Sequence, residues 1–219
     1  MFGDREEAGR ALAERLVTAV SAPVVVAAIP RGGAVVALPI AERLAAPLTI
    51  AYAHKLSSPL QPEFAFGAVD EDGEVILDEA AVGALGLNPD DIARATLRER
   101  EEIRRRVALY GAPPVAGFLP QSAVILVDDG LATGLTMRAA LVHARRHGAA
   151  RVVVATPCAS SRAAEAFQEE ADLFVGLIVD RRFMAVGDYY VEFPQVPDEA
   201  VTAILERAKA ITGTTGDGG

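Results

Sequence analysis

Along this chain the apolar positions gather into short unbroken runs, separated by stretches with helical spacing. Residues 23–29 (PVVVAAI) are continuously apolar and rich in β-branched side chains. That pattern predicts a strand buried on both faces. Residues 47–53, 123–127, 151–156 and 173–179 read the same way, and 189–193 would add an edge strand. Between them lie helical patterns at 4–20, from Gly33 to about Ala45, at 135–147, at 160–171 and at 198–211. Asp4 is placed to cap the first helix, with Glu7 completing a capping box. Strand, helix and strand in this rhythm make right-handed βαβ units. The expected fold class is α/β, a doubly wound, mainly parallel sheet.

One segment breaks the rhythm. Residues 57–62 are polar and carry prolines, and 65–77 read as a hairpin around an Asp72-Gly73 turn. A long charged helix is predicted over 88–110, opening Asn88-Pro89-Asp90-Asp91. Glu101 with Arg105 and Glu102 with Arg106 sit four apart on it, in the favoured order. Gly111-Ala112-Pro113-Pro114 stops it. The expected organisation is a core in two parts, 1–56 and 116–211, with an inserted subdomain over 57–115 and a loose tail over 212–219.

Composition narrows the function classes. The chain has 219 residues, 51% hydrophobic and 23% charged, with a net charge of −9. An acidic surface is unsuited to holding nucleic acid non-specifically. The one cysteine, Cys158, can form no internal disulfide. No apolar run is long enough for a membrane span, and Asp4-Arg5-Glu6-Glu7 is charged where a secretory leader needs apolar residues. These features lead us to expect a cytoplasmic protein that binds neither membrane nor nucleic acid. Arginine outnumbers lysine heavily, since Lys55 and Lys209 are the only lysines.

The densest chemical signal runs from Val124 to Thr136 (VILVDDGLATGLT). A buried strand ends in Asp128 and Asp129, a loop of small and hydroxyl residues follows, and a helix begins. Ligands of open α/β sheets bind at the carboxyl ends of strands. A helix start behind Thr133 and Gly134 offers free backbone N–H groups to an anion, and Thr133 and Thr136 add hydroxyls. Carboxylates repel phosphate, so the two acids must face another part of the ligand. A ligand with phosphate at one end and a diol at the other, as in a ribose 5-phosphate, fits both halves. Rival phosphate motifs fail: no lysine follows Gly134 as a P-loop requires, no GxGxxG follows a strand, and there is no GxSxG elbow.

These thirteen residues resemble the 5-phosphoribosyl-1-pyrophosphate (PRPP) motif of the type I phosphoribosyltransferases. The layout of most of the chain is similar to that family too, and most of all to its stand-alone bacterial members, with the insertion as a hood. The resemblance implies that Asp128 and Asp129 hold the ribose hydroxyls, and that Ala132, Thr133, Gly134, Leu135 and Thr136 hold the 5-phosphate. It places pyrophosphate at Arg31, Gly32 and Gly33, in a loop where family members often carry a non-proline cis peptide, here Pro30–Arg31. Lys55, expected at the end of the second strand, would share the pyrophosphate and stabilise the leaving charge. Phe183, in the stretch after the last core strand, matches the aromatic that stacks on a base. Alanine at position 132, where enzymes for 6-oxopurines carry an acid, argues against hypoxanthine or guanine.

Three functions are compatible with this reading. The first is a Mg²⁺-dependent transfer of the phosphoribosyl group of PRPP to a nitrogen base, by a homodimer as is usual for such folds. Here Lys55, Asp128 and Asp129 would be catalytic, and Mg²⁺ would be held mainly by substrate and water. The second is a non-catalytic regulator that binds PRPP or a nucleotide. The third, a hydrolase of a phosphorylated sugar, lacks a recognisable nucleophile. Asp129→Asn keeps the side chain's shape and is expected to weaken ribose recognition with the fold intact. His143 and His147 are four apart on one helix, but no third metal ligand lies nearby in sequence, so they read as charges suited to a helix C-terminus. His54 reads as structural, Cys158 as buried packing, and Arg104-Arg105-Arg106 as a solvated face.

Overall fold

The computed structural model describes residues 1–21, 23–58, 61–119 and 122–213. Helix α1 (Arg5–Leu16) precedes β1 (Val24–Ala28), α2 (Gly32–Leu44) and β2 (Leu48–Ile50). Then come β3 (Ala53–Ser58), β4 (Gln61–Asp70), β5 (Val75–Leu77), α3 (Glu79–Leu85) and α4 (Pro89–Tyr110). The chain returns through β6 (Ala123–Val127), α5 (Leu135–Arg146), β7 (Arg151–Ser160), α6 (Ser161–Glu170), β8 (Leu173–Asp180) and α7 (Asp198–Gly213). Two sheets result. Five parallel strands run in the order β2-β1-β6-β7-β8, and three antiparallel strands in the order β3-β4-β5. Among the described residues no helix is long and apolar enough to cross a membrane.

The period of two explains the layers. On one face of the large sheet Val24, Val26 and Ala28 of β1, Ile125 and Val127 of β6, and Val153 and Ala155 of β7 pack with α1, α2 and α7. On the other, Val25 and Ala27, Val124 and Leu126, and Val152 and Val154 pack with α5 and α6. Helices cover both faces, which is why the strands are apolar without alternation. Burial of these side chains from both sides is the main stabilising contribution to the core.

Three expectations need correction. Residues 47–53 are not one strand: β2 stops at Ile50, and after Ala51 and Tyr52 the chain enters β3. Lys55 therefore belongs to the small sheet, opposite Ala68, and not to the end of a core strand. Residues 189–193 form no edge strand. Val186–Tyr189 is a 3-10 turn, after which Tyr190 makes a single parallel bridge to Phe2. Thr212 and Gly213 continue α7, while the remainder of the expected tail lies outside the described residues. The other helix expectations hold to within a few residues. Asp4 accepts a hydrogen bond from the Glu7 N–H, and Asn88 and Asp91 form a full capping box. The Glu7 carboxylate, by contrast, accepts from the Gly3 N–H and so caps one residue further out.

Candidate active site

Strand β6 lies in the middle of the large sheet, between β1 and β7, and delivers Asp128 and Asp129 at its carboxyl end. Asp128 Oδ1 accepts the Asp129 N–H at 2.8 Å. Burial, and then the neighbouring Asp129 charge, push the Asp128 carboxyl well above the usual range. Asp129 has a cation of its own: its Oδ2 lies 2.7 Å from Arg5 Nε, across 124 residues of sequence. The Arg5 guanidinium is 3.6 Å from the centre of the Phe193 ring and donates to the Pro194 carbonyl at 2.8 Å. Tyr190 Oη donates to the Asp129 carbonyl at 2.6 Å. The two carboxyl groups also lie close enough to act on one another. Two adjacent carboxyl groups at a strand end suit two vicinal hydroxyl groups.

The following loop is pinned by β7, which runs four residues past its predicted end. Leu131 exchanges backbone hydrogen bonds with Cys158 and Ser160, at 2.9 Å each, and Ser160 Oγ donates to the Ala132 carbonyl at 2.7 Å. Gly134 turns the chain with φ 75° and faces the Phe167 ring, which a side chain at 134 would strike. Helix α5 then starts with no side-chain cap. Its first N–H groups are open to an anion, at the positive end of the helix dipole.

The paired glycines at 32 and 33 have a packing reason that the sequence alone did not show. A side chain at Gly32 would collide with the Asp129 carboxylate, and one at Gly33 with the Val127 carbonyl. Helix α2 therefore starts hard against the end of β6. The peptide Pro30–Arg31 just before it is cis, as the resemblance implied. The Arg31 guanidinium is 3.9 Å from Asp198 Oδ1 at the start of α7.

Two hollows join at this point. One, of ≈ 510 Å³, is lined by the Pro30–Gly32 turn, His54, Lys55, Asp128, Asp129 and residues of α4. The other, of ≈ 290 Å³, is lined by Gly130 to Met137 and Val186. Lys55, Asp128 and Thr136 line both. Lys55 is exposed, and among the described residues it makes no ion pair. Thus the structure brings Arg31, Gly32, Lys55, Asp128, Asp129 and the 132–136 loop to one cleft. Phe183 stands apart from both hollows. It stacks on Tyr189 with ring centres 4.9 Å apart and 19° between planes, while Val186 reaches the smaller hollow. Cys158 is buried beneath, with Sγ 3.7 Å from the Asp129 carbonyl, and burial pushes its thiol up to about 12.

Sequence reasoning missed the wall opposite the acids. His54 and, from α4, Arg98, Glu99, Glu102 and Arg106 line the larger hollow. His54 Nδ1 lies 3.2 Å from Glu99 Oε2, and its buried Nε2 has no hydrogen-bond partner among the described residues. The hydrogen bond from His54 is the main cause holding Glu99 below the usual carboxylate range. Arg105 and Arg106 both bond Glu102, with the Arg105 contact lowering the Glu102 pKa most, to about 2. Arg106 is 13% exposed, so this arginine is part of the cleft wall and not a solvated face. The spacing of Glu102 and Arg106 was visible in sequence. The side of the helix that faces the cleft was not.

Comparison with known proteins agrees with this geometry. The sequence pattern of the phosphoribosyl transferase domain matches residues 4–191. A Mycobacterium tuberculosis protein named "Putative phosphoribosyl transferase Rv0571c" is 39% identical over 208 residues, covering 95% of this chain and 47% of its own. The chain thus spans about half the length of the curated relatives it matches. The crystal structure of TT1426 from Thermus thermophilus is 42% identical and superimposes with a TM-score of 0.76, covering 94% of this chain and 98% of that one. With the domain pattern spanning most of its length, the chain belongs to the phosphoribosyl transferase domain family.

Proposed function

We propose that this protein binds PRPP along the carboxyl edge of the large sheet and transfers its phosphoribosyl group to a nitrogen base, releasing pyrophosphate. One observation carries the reading. Two adjacent carboxyl groups stand beside an uncapped helix start, with the exposed cation of Lys55 shared between the two hollows. In this reading Asp128 and Asp129 accept hydrogen bonds from the two ribose hydroxyls. Backbone N–H groups of 132–136 and the hydroxyls of Thr133 and Thr136 hold the 5-phosphate. The Pro30–Gly33 turn, with Arg31 and Lys55, receives the pyrophosphate. Phe183 lies on the base side, its segment reaching the cleft through Val186.

The chemistry follows from charge. As the bond from C1 to the pyrophosphate oxygen breaks, positive charge grows on the sugar and negative charge on the leaving group. The acids sit near the first, Arg31 and Lys55 near the second. The base nitrogen supplies the electron pair for the new C–N bond and gives up its proton to the departing pyrophosphate or to water. Carboxylate oxygens are the hard donors that suit Mg²⁺ surroundings. The ion would be held by the ribose hydroxyls, pyrophosphate and water, with Asp128 and Asp129 gripping the hydroxyls, and would neutralise the pyrophosphate. A homodimer is part of the proposal by family likeness, and light scattering tests it.

The test is calorimetry with PRPP and Mg²⁺ beside a turnover assay using labelled PRPP and a panel of bases. PRPP binding is expected to weaken by about 10–100-fold in Thr133→Val, the worth of one hydrogen bond to a charged group. Unchanged affinity in both Thr133→Val and Asp128→Asn would displace the ligand from this cleft. Tight binding with no nucleotide from any base would leave a PRPP-binding regulator.

A further inference from the structure

We propose that Asp72, His143 and His147 form a site for one divalent transition metal, of the zinc class, that staples the β4–β5 turn to the last turn of α5. The two histidines are one helical turn apart, so their rings share a face of α5, with centres 4.4 Å apart. The third ligand was invisible in sequence because it arrives from 71 positions before His143, on the hairpin turn. Asp72 Oδ2 lies 2.7 Å from His147 Nε2 and 3.4 Å from His143 Nδ1. One ligand atom from each residue lies within 4.8 Å of the others. Ligand atoms on a tetrahedral zinc are about 3.3–3.5 Å apart, given metal bonds of about 2.0–2.2 Å. Closing on an ion therefore takes side-chain rotation and no refolding.

The setting of His143 fits a ligand held from behind. Its side chain is 4% exposed, and Glu71 Oε1 lies 3.0 Å from its Nε2, on the side of the ring away from Asp72. Metal-bound histidines nearly always give their other N–H to a carboxylate, a backbone carbonyl or water, and Glu71 stands where such a partner belongs if Nδ1 takes the metal. The charges also match. Asp70, Glu71 and Asp72 carry −3 and Arg146 carries +1, so neutral imidazoles leave −2 for a divalent ion.

Arg146 is the competitor. Its Nη2 lies 2.7 Å from Asp72 Oδ2 and 2.9 Å from Asp70 Oδ2. An ion that takes Asp72 leaves Arg146 with Asp70. Asp72 and His147 both face solvent in part, which gives the ion an entry path and leaves a fourth position for water. Two imidazole nitrogens with one carboxylate select zinc, cobalt, nickel or copper over magnesium and calcium. The site is independent of the proposed PRPP cleft, which lies at the opposite end of α5.

The experiment uses the full chain, stripped with a chelator and titrated with ZnCl₂ at pH 7.5. One equivalent is expected to bind at micromolar Kd or tighter. At 100-fold excess over Kd the melting temperature should rise by about 5–10 °C, and MgCl₂ should do nothing. Cobalt should give the visible spectrum of a tetrahedral ion. His147→Ala and Asp72→Asn, both at solvent-facing positions, should each weaken zinc by about 100-fold or more, since even an outer-shell partner is worth about 10–100-fold. PRPP affinity in both should match the parent chain. No zinc binding by the folded chain, or binding that neither substitution weakens, overturns the proposal.

Discussion

The two ends of α5 meet acidic residues in opposite ways. At its N-terminus stand Asp128 and Asp129, of which Asp129 has Arg5 while Asp128 has no cation in contact among the described residues. At its C-terminus Asp70 and Asp72 are met by Arg146 and His147, with Glu71 beside His143. Asp70 is 3% exposed yet fully engaged: Oδ1 accepts from the N–H groups of Asp72 and Glu74, and Oδ2 from Arg146. Burial raises its pKa, but His143, then Arg146 and the Glu74 N–H, outweigh it and hold the carboxyl below its ordinary value. Asp128 goes the other way because burial and then the adjacent Asp129 charge outweigh the more distant Arg5. One end joins opposite charges and ties the β4–β5 turn to α5. The other holds a buried carboxyl with no direct ion pair, which marks a candidate binding site for a ligand.

The largest effect should come from breaking the paired end. Asp70→Ala leaves two turn N–H groups without their acceptor, while Arg146 keeps Asp72. It should cost about 1–3 kcal/mol of stability, the worth of buried donors left unpaired, while PRPP affinity stays unchanged. Denaturant unfolding beside calorimetry reads both, and a loss of PRPP binding with the fold intact would erase the contrast.

Asp128→Asn should do the reverse. It keeps the Oδ1 acceptor for the Asp129 N–H but removes an unfavourable buried charge. PRPP affinity should fall by about 10–100-fold, and the melting temperature at neutral pH should rise. The sign follows from the raised pKa: the folded chain resists ionising a carboxyl that the unfolded chain ionises freely, so stability falls as pH climbs above the ordinary value of 3.8. A melting temperature that drops instead would show Asp128 to be structural. Asp129→Asn is the poorer probe, contrary to the sequence-based expectation, because it strips the buried Arg5 guanidinium of its counter-charge. It should lose stability as well as affinity.

A smaller effect tests the same carboxyl in the native chain. Ribose hydroxyls donating to Asp128 favour its charged form, so PRPP binding should release protons from it. Binding heats in buffers of different ionisation enthalpy measure that release, and Asp128→Asn should remove its share. Least of all, Glu102 in the opposite wall carries a pKa lowered to about 2 by Arg105, then Arg106. Its contribution to stability is present above the ordinary 4.5 and is lost as pH falls toward about 2. Glu102→Gln should flatten the acid limb of the stability curve slightly, the pair being partly exposed to solvent.

The sequence by itself determined the parallel core and the Val124–Thr136 cradle. Both are local as signals: a strand buried on two faces must be apolar throughout, and an acid pair followed by a small-residue loop and a helix start is readable within thirteen positions, although β7 pins the loop. Tertiary structure alone decided what those groups meet. Arg5 reaches Asp129 across 124 residues, Asp72 reaches the α5 histidines across 71 and 75, and His54 turns to Glu99 from a strand whose start was hidden by a two-residue gap after β2. Side-chain pairing between distant segments depends on how packed elements are oriented about their axes. Period and composition identify the face a helix buries, but not which distant charge is waiting there.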